Sequence, residues 1–212
     1  MSDTRAPLVL VRMASERIDE TVAVLCDAFH DYPVMTHVIG DAGAEYDRRL
    51  RAMIHVFVSS RVLRGDPILG IEDEGRPVAI ATLTRPGGPP IPESILTLRE
   101  SVWEMLGPGA KARHGALVEV WERQTYPGLH YHLNMLGVRR SHAGRGLGGR
   151  LLKETQALSL ANPESLGVSL STEDPKNVPL YEHCGYKVVG YERVPNGPET
   201  WLFFRPDDAA SS

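Results

Sequence analysis

The sequence predicts a mixed α/β protein built around one central sheet. Strand-like and helix-like segments are interspersed along the whole chain, no segment repeats internally, and 42 % of the residues are apolar, which is enough for a sizeable core. At 212 residues the chain has the length of a single domain. We expect its core at about residues 8–206 and a disordered tail over residues 207–212.

Each predicted element follows from a local pattern. Helices are assigned where apolar residues recur every three to four positions, and strands where short β-prone runs lie between turn residues. In chain order the predicted elements are strand 8–12, helix 16–29, helix 44–63, strands 67–72 and 78–84, helices 93–106 and 110–124, strand 129–138, helix 147–161, strand 166–171, helix 178–184, and strands 186–192 and 200–204.

Turn-forming residues separate these elements. DYP at 31–33 interrupts the first helix and GDP at 65–67 ends the second. The turn-rich DEGR at 73–76 joins two strands into a hairpin, and GPG at 107–109 divides two helices. RPGGPPIP at 85–92 is expected to be a mobile connection rather than a domain linker.

Composition narrows the function classes. The net charge of -4 argues against a nucleic-acid-binding protein, which would normally be basic. The longest apolar run, residues 22–26, is far shorter than the roughly 20 residues of a membrane-spanning helix. Two cysteines, Cys26 and Cys184, make neither a disulfide framework nor a metal site, and no HExxH sequence is present. We therefore expect a cytoplasmic protein without metal that binds neither nucleic acid nor membrane.

The most informative segment is YHLNMLGVRRSHAGRGLGGRLL at 131–152, which predicts a strand, a glycine-rich loop and a helix. Four glycines lie within six residues: Gly144, Gly146, Gly148 and Gly149. Glycine allows a positive φ and a close approach of ligand to backbone. Residues 139–153 also carry five Arg or Lys and no acidic residue. Together with the unpaired N–H groups of a helix N-terminus, this pattern predicts a site for a multiply charged anion.

The spacing Gly144-x-Gly146-x-x-Gly149 formally matches the dinucleotide-binding fingerprint. Only 63 residues follow Gly149, however, which is too few for the rest of a doubly wound nucleotide domain. No Gly-Lys-Ser/Thr sequence follows either, so the nucleoside-triphosphate loop is absent. The layout therefore favours a different phosphate ligand.

AGRGLG at 143–148, after a strand that ends in Val138, resembles the pyrophosphate-binding loop of the GNAT superfamily of acyl-CoA-dependent N-acetyltransferases. Ala143 departs from the Arg or Gln usual in that family. NVPLYEHCGY at 177–186 is similar to the family's Asn-x-x-x-Tyr-x-x-x-Gly-Phe/Tyr block. Weaker similarities at 28–33 and 194–201 resemble the puromycin N-acetyltransferase-like branch.

The resemblance implies the GNAT fold, with a central mixed, mostly antiparallel sheet of about six to seven strands, helices on both faces, and a parallel strand pair that splays apart. It also implies acetyl-CoA as co-substrate. The coenzyme-binding residues that it implies are Leu136, Gly137, Val138, Ala143, Gly144, Arg145, Gly146, Leu147, Gly148, Gly149 and Asn177.

The same resemblance implies that Tyr181 is the general acid for the departing thiolate. In several relatives a Glu or His lies six residues before the Val of the strand, and here that residue is His132, whose ordinary pKa of about 6.5 suits a general base. A chain of water molecules is the alternative base. Strand alternation predicts that four residues share one face: His132, Asn134, Leu136 and Val138. Further candidate bases, each expected to be a solvated surface group, are Glu119, Glu122, His130 and Glu173.

Four residues are expected on the acceptor side: Asp31, Tyr32, Asn134 and Trp201. The expected function is acetyl-CoA-dependent N-acetylation of a primary amine on a small molecule, by direct attack in a ternary complex, carried out by a monomer or homodimer. Two alternatives stay open. One is a non-catalytic acyl-CoA-binding sensor, and the other is acetylation of a protein N-terminus or lysine.

Overall fold

The computed structural model describes residues 7–207, which form one seven-stranded sheet with α-helices on both faces. The strands are β1 Val9–Arg12, β2 Ile68–Asp73, β3 Arg76–Thr84, β4 Tyr131–Val138, β5 Gly167–Thr172, β6 Lys187–Arg193 and β7 Glu199–Pro206. The helices are α1 Ile18–Phe29, α2 Pro33–Ile39, α3 Tyr46–Arg64, α4 Glu93–Leu106, α5 Pro108–Glu122, α6 Leu147–Leu160 and α7 Val178–His183. Each helix and strand predicted from the sequence is confirmed to within a few residues.

The strand order is β1-β2-β3-β4-β5-β7-β6. Neighbouring strands are antiparallel except β4 and β5, which are parallel. The β2–β3 hairpin turns through Glu74 and Gly75, both with positive φ, as a two-residue hairpin requires. The expected fold class, a mostly antiparallel sheet with one parallel pair, is therefore confirmed.

Two hydrophobic cores cover the two faces of the sheet. Helices α1 to α5 supply the first, which includes Leu25, Ile54 and Met135. The second lies under α6 and α7 and includes Leu151 and Tyr181. Most of these side chains are fully buried, so burial of apolar surface fixes the helices on the sheet.

The parallel pair opens along its length. β4 and β5 are in register at only three positions: Tyr131 with Val168, His132 with Ser169, and Leu133 with Leu170. Both strands continue beyond that point, β4 by five residues and β5 by two. The expected splayed pair is present, and its opening lies in the middle of the sheet.

The structure corrects two expectations. Residues 33–39 form α2, although the sequence predicts only an interruption there; Pro33 occupies the first helical turn, where its missing N–H costs nothing. Asp207, predicted to lie in a disordered tail, is fixed by hydrogen bonds from Gln156 and Ser159. The remainder of that predicted tail, 208–212, lies outside the described residues. Within residues 7–207, no helix combines the length and hydrophobicity that crossing a bilayer requires.

Candidate active site

A cavity of about 330 Å³ lies at the opening between β4 and β5. Met35 and Met53, from the core under α1 to α5, line one part of it. Leu170 and Tyr181, from the core under α6 and α7, line another. The cavity therefore reaches both faces of the sheet through the gap between the strands.

A one-residue β-bulge interrupts β4 beside this cavity. Thr82 of β3 pairs with Met135, whereas the next residue, Leu83, pairs with Leu133. Asn134 is therefore the extra residue of the bulge. Asn134, predicted to bind the acceptor, is among the residues that line the cavity.

The bulge reverses the alternation of side chains along β4. Leu133, Leu136 and Val138 all contact the core under α6 and α7, although strict alternation would separate Leu133 from the other two. His132 precedes Leu133 and so faces the opposite layer. The expectation that His132 shares a face with Leu136 and Val138 is therefore wrong, because the bulge at Asn134 reverses the alternation between them. The bulge depends on the pairing of β4 with β3, so the sequence of β4 alone does not indicate it.

His132 lies in the cavity wall as a neutral imidazole. Its Nδ1 is 2.8 Å from the Ser169 hydroxyl on β5. Burial, reinforced by the positive charge of Arg61, lowers the pKa of His132 to about 4. At neutral pH the ring is uncharged and has an unprotonated nitrogen, but its basicity is much lower than that of an exposed histidine.

The outer part of β4 has a free backbone edge toward the gap. The Arg139 N–H donates to the Val78 carbonyl on β3 at 2.8 Å. Because backbone groups along a strand face alternate edges, those of Leu136 and Val138 face away from β3 and into the opening. Both residues were predicted to bind the coenzyme, and this geometry makes their N–H and C=O groups available for an added strand.

Gly137, predicted to bind the coenzyme, lies in the contact between β4 and α1. By the same alternation its backbone faces β3, and a Cβ at this position would lie 2.8 Å from the Ala28 Cβ and 3.0 Å from Leu25 Cδ2 on α1. The absence of a side chain thus allows α1 to pack closely on β4. The backbone of Gly137 thus faces β3, whereas the backbone of Leu136 and Val138 faces the gap.

The glycine loop presents a row of unpaired backbone donors. Gly144 and Gly146 have φ of +74° and +73°, a region that glycine adopts without strain, and α6 begins at Leu147. Within residues 7–207, the six amides from Gly144 to Gly149 donate to no acceptor. The loop is exposed apart from Leu147 and the partly buried Gly148 and Gly149. A helix N-terminus extended by such a loop favours a bound anion.

The basic residues of the loop are less free than their number indicates. Arg145 lies 3.3 Å from the Asp73 carboxylate, which also contacts His142. Arg140 pairs with the exposed Asp31 at 2.8 Å. The predicted excess of five positive charges is therefore partly neutralised, and backbone amides carry more of the anion attraction than the sequence indicates. Ala143 lies exposed at the start of this loop.

Asp31 does not line the cavity, because its carboxylate faces solvent and binds Arg140. Trp201 does not line it either. Thr200 bonds to Glu173 and Leu202 lines the cavity, so Trp201 between them faces the other side of β7, where it packs on Tyr191. Neither of these two predicted acceptor-side residues is therefore among those that line the cavity.

Asn177 and Tyr181 lie one helical turn apart and both line the cavity. Asn177 Nδ2 donates to Thr172 Oγ1 at 3.2 Å. The Tyr181 ring packs on Phe203, and in the part of the chain that the structure describes its hydroxyl has no hydrogen-bond partner. Burial raises the pKa of Tyr181 well above its ordinary value, so the phenol stays protonated and can act as a proton donor.

Glu173 is the main site residue that the sequence analysis misjudged. It is buried at the end of β5, not on the surface, and it lines the cavity. Its carboxylate accepts hydrogen bonds from Tyr32 at 3.0 Å, Trp121 at 3.1 Å and Thr200 at 2.7 Å. Burial raises its pKa against the opposing effect of these donors. One sequence feature could have indicated this burial: Glu173 directly follows β5, a buried strand that borders the gap.

Tyr32 lines the cavity as predicted. The other candidate bases lie away from it: Glu119 and Glu122 are exposed as expected, and His130 is half-buried with its Nδ1 against the Gly128 carbonyl. Among the described residues, no group of His, Cys, Asp and Glu side chains is arranged to hold a metal ion.

Comparison with known proteins adds a family match. Residues 109–188, from α5 into β6, match the family model of the acetyltransferase (GNAT) domain. A Corynebacterium glutamicum protein described as histone acetyltransferase HPA2 and related acetyltransferase superposes with a TM-score of 0.66 at 18 % identity, over 97 % of this chain and 100 % of its own.

Two further structures are similar over most of the chain. The Drosophila melanogaster polyamine N-acetyltransferase, which forms N-acetylagmatine, has a TM-score of 0.64 at 18 % identity, covering 93 % of this chain and 98 % of its own. An agmatine N-acetyltransferase has a TM-score of 0.62 at 18 % identity with the same coverages. Residues 109–188 thus match the acetyltransferase (GNAT) domain model, and the chain has the same fold as these three structures.

Proposed function

We propose that this protein is an acetyl-CoA-dependent N-acetyltransferase that acetylates a primary amine of a small molecule by direct attack in a ternary complex. One observation carries the proposal: six amides from Gly144 to Gly149, unpaired among the described residues, follow strand β4, whose free edge borders a cavity lined by Tyr181. The proposal keeps four expectations from the sequence: a single domain, a cytoplasmic location, a monomeric or homodimeric state, and a place in the puromycin N-acetyltransferase-like branch.

Acetyl-CoA is a substrate whose chemical features match these residues. The six amides of the loop, together with the exposed Arg145, would bind its diphosphate beside the exposed Ala143. The backbone groups of Leu136 and Val138 would bind the amides of the pantetheine arm, and Asn177 lies in the cavity wall to bind the same arm. The bound thioester would supply the activated acetyl group.

Tyr181 donates the proton that the departing thiolate requires. Burial keeps the phenol of Tyr181 protonated, with a pKa above that of a free thiol, which is about 8.5. Proton transfer to the sulfur therefore depends on the placement of the hydroxyl in the cavity rather than on its acidity alone. The hydroxyl has no competing partner within residues 7–207, which leaves it available for the leaving group.

The attacking amine must lose a proton, since an amine is largely protonated at neutral pH. His132 is the neutral proton acceptor in the cavity wall. Because its pKa is lowered to about 4, His132 does not stay protonated at neutral pH. We propose that His132 passes the proton to a chain of water molecules rather than retaining it.

The small-amine acceptor class is supported by structural neighbours whose names specify agmatine and polyamine acetylation. A cavity of about 330 Å³ matches a small molecule.

Thiol release from acetyl-CoA with a panel of amines tests the proposal. Tyr181→Phe should lower kcat by about 10²- to 10⁴-fold and leave CoA affinity unchanged in calorimetry. Tyr191→Phe, at an exposed tyrosine that does not line the cavity, is the matched control and should retain full activity.

Each other outcome has a defined meaning. CoA binding without turnover of any amine or peptide would identify a sensor and overturn the enzyme assignment. Turnover of peptides alone would overturn the small-molecule assignment. Full activity of Tyr181→Phe would remove Tyr181 as the acid.

A further inference from the structure

Arg61 is a cavity residue that neither the sequence analysis nor the proposed chemistry uses. It lies near the end of α3, where Met53, Phe57 and Arg61 follow one another at intervals of four residues. All three line the cavity, because residues four apart share one face of a helix. Met53 and Phe57 thus present apolar side chains to the cavity, and Arg61 on the same face of α3 presents a guanidinium.

The positive charge of the Arg61 guanidinium is poorly compensated by neighbouring groups of the protein. The Arg61 side chain is 17 % exposed. Its Nε is enclosed and has no partner, and among residues 7–207 the side chain makes no hydrogen bond. Its ion pair is with Asp66, at an NH1–Oδ2 separation of 4.0 Å, the outer limit of such a contact.

Asp66 is committed to other donors. Its carboxylate accepts from Arg64 Nε at 2.8 Å and from the Arg85 backbone N–H at 3.2 Å. Arg61, Arg64 and Arg85 therefore share one buried carboxylate. A largely buried guanidinium without hydrogen bonds is unfavourable, and an anion in the cavity would relieve that cost.

The charge and shape of the cavity define which anion fits. Of the described residues in the lining, Arg61 carries the one positive charge at neutral pH, since His114 and His132 have pKa values lowered by burial to about 4. One cation matches a carboxylate, whereas a phosphate dianion would need more. The rest of the wall is largely apolar and aromatic, including Phe29, Phe57, Trp121 and Tyr126.

We propose that Arg61 binds a carboxylate on the amine acceptor, so that the substrates are amino carboxylates with one amine and an apolar or aromatic body. This inference rests on the proposed function and names the substrate class of the same site. A planar guanidinium binds a carboxylate through two parallel hydrogen bonds. A polyamine or agmatine would instead bring a second cation toward Arg61.

Matched amines with and without a carboxylate test the inference. Thiol release from acetyl-CoA is measured with 4-(aminomethyl)benzoate against benzylamine, and with phenylalanine and 3-amino-3-phenylpropanoate against 2-phenylethylamine. We expect at least one carboxylate-bearing member to exceed its counterpart in kcat/KM by about 10- to 100-fold, the range for a charged hydrogen-bonded pair. Agmatine and spermidine should be poor substrates.

Substitution then assigns the preference to Arg61. Arg61→Gln should abolish the ratio of kcat/KM between each carboxylate-bearing amine and its carboxylate-free counterpart, and Arg61→Lys should restore part of that ratio. Arg51→Gln, at an exposed arginine of the same helix, should behave as the unsubstituted protein. As a readout without turnover, calorimetric titration of the CoA-loaded protein with 3-phenylpropanoate should show binding that Arg61→Gln weakens.

The outcomes separate the two claims. Equal or better turnover of the carboxylate-free amines overturns the inference and leaves the proposed function intact. So does an Arg61→Gln protein that retains 3-phenylpropanoate binding. If no amine is acetylated but 3-phenylpropanoate still binds in an Arg61-dependent way, the proposed function fails while the carboxylate site stands.

Discussion

The Tyr32 hydroxyl contacts Glu173 twice: it donates to the carboxylate Oε2 at 3.0 Å and accepts the backbone N–H of the same residue at 2.9 Å. Tyr32 lies between α1 and α2, and Glu173 directly follows β5. The two bonds therefore fasten a helical junction to the end of a strand that borders the gap. They also satisfy part of a carboxyl group that is costly to bury.

Removal of this hydroxyl should lower stability. We expect Tyr32→Phe to reduce the free energy of unfolding by about 1–3 kcal/mol, because it leaves a buried carboxyl and a buried N–H each short of a partner. Urea unfolding monitored by circular dichroism measures the change. Tyr191→Phe, which loses one bond from an exposed hydroxyl to Glu199, should stay within about 0.5 kcal/mol. Equal stability of the two variants would show that the Tyr32–Glu173 contact contributes nothing.

The pH dependence of stability should carry a contribution from His132. Its pKa is lowered by burial from 6.5 to about 4 in the folded protein, so between those values the unfolded chain binds more protons at this residue. Stability is therefore lost as pH falls from 6.5 toward 4. Glu173, whose pKa is raised by burial, contributes with the opposite sign and offsets part of the loss.

His132→Gln isolates that contribution. Between about pH 7 and about pH 5 its unfolding free energy should fall by about 2 kcal/mol less than that of the unsubstituted protein, since each unit of pKa shift corresponds to about 1.4 kcal/mol. Urea titrations at the two pH values measure the difference. His183→Gln, at an exposed histidine, is the control. Identical pH dependence in the unsubstituted protein and His132→Gln would contradict the buried neutral state of His132.

The backbone conformation of the loop should control coenzyme affinity. Gly146 has φ of +73° with open space around it, so Gly146→Ala introduces backbone strain rather than a collision. We expect CoA affinity, measured by calorimetry, to fall by about tenfold, in line with a cost of about 1–2 kcal/mol. Gly115→Ala, in α5 and also without near neighbours, should leave affinity unchanged. An unaltered affinity in Gly146→Ala would mean that this loop geometry is not needed for binding.

Local sequence patterns predicted the secondary structure of residues 131–152 well. The strand at 129–138, the glycine loop and the helix from Leu147 were visible because hydrophobic spacing and glycine content depend on near neighbours in sequence. Local patterns did not predict α2. Pro33 follows α1 closely and was therefore interpreted as a helix breaker, whereas it occupies the first turn of the next helix.

Features that depend on distant contacts could not be predicted. The bulge at Asn134 exists only in the pairing of β4 with β3. The burial of Glu173 depends on Tyr32, Trp121 and Thr200, which are far from it or on other elements. Gly137 was assigned to the coenzyme although its lack of a side chain serves the contact with α1. In each case the deciding partner comes from another part of the chain.

In the proposed function, the amides from Gly144 to Gly149 bind the diphosphate of a coenzyme A thioester. Titration of the ¹⁵N-labelled protein with acetyl-CoA, followed by amide NMR, measures this binding at each residue. We predict saturable shifts of these six resonances, larger than those of the remote Gly87 and Gly88. If the six resonances stay unmoved at saturating acetyl-CoA, the loop is not a coenzyme site and the proposed acetyltransferase activity loses its basis.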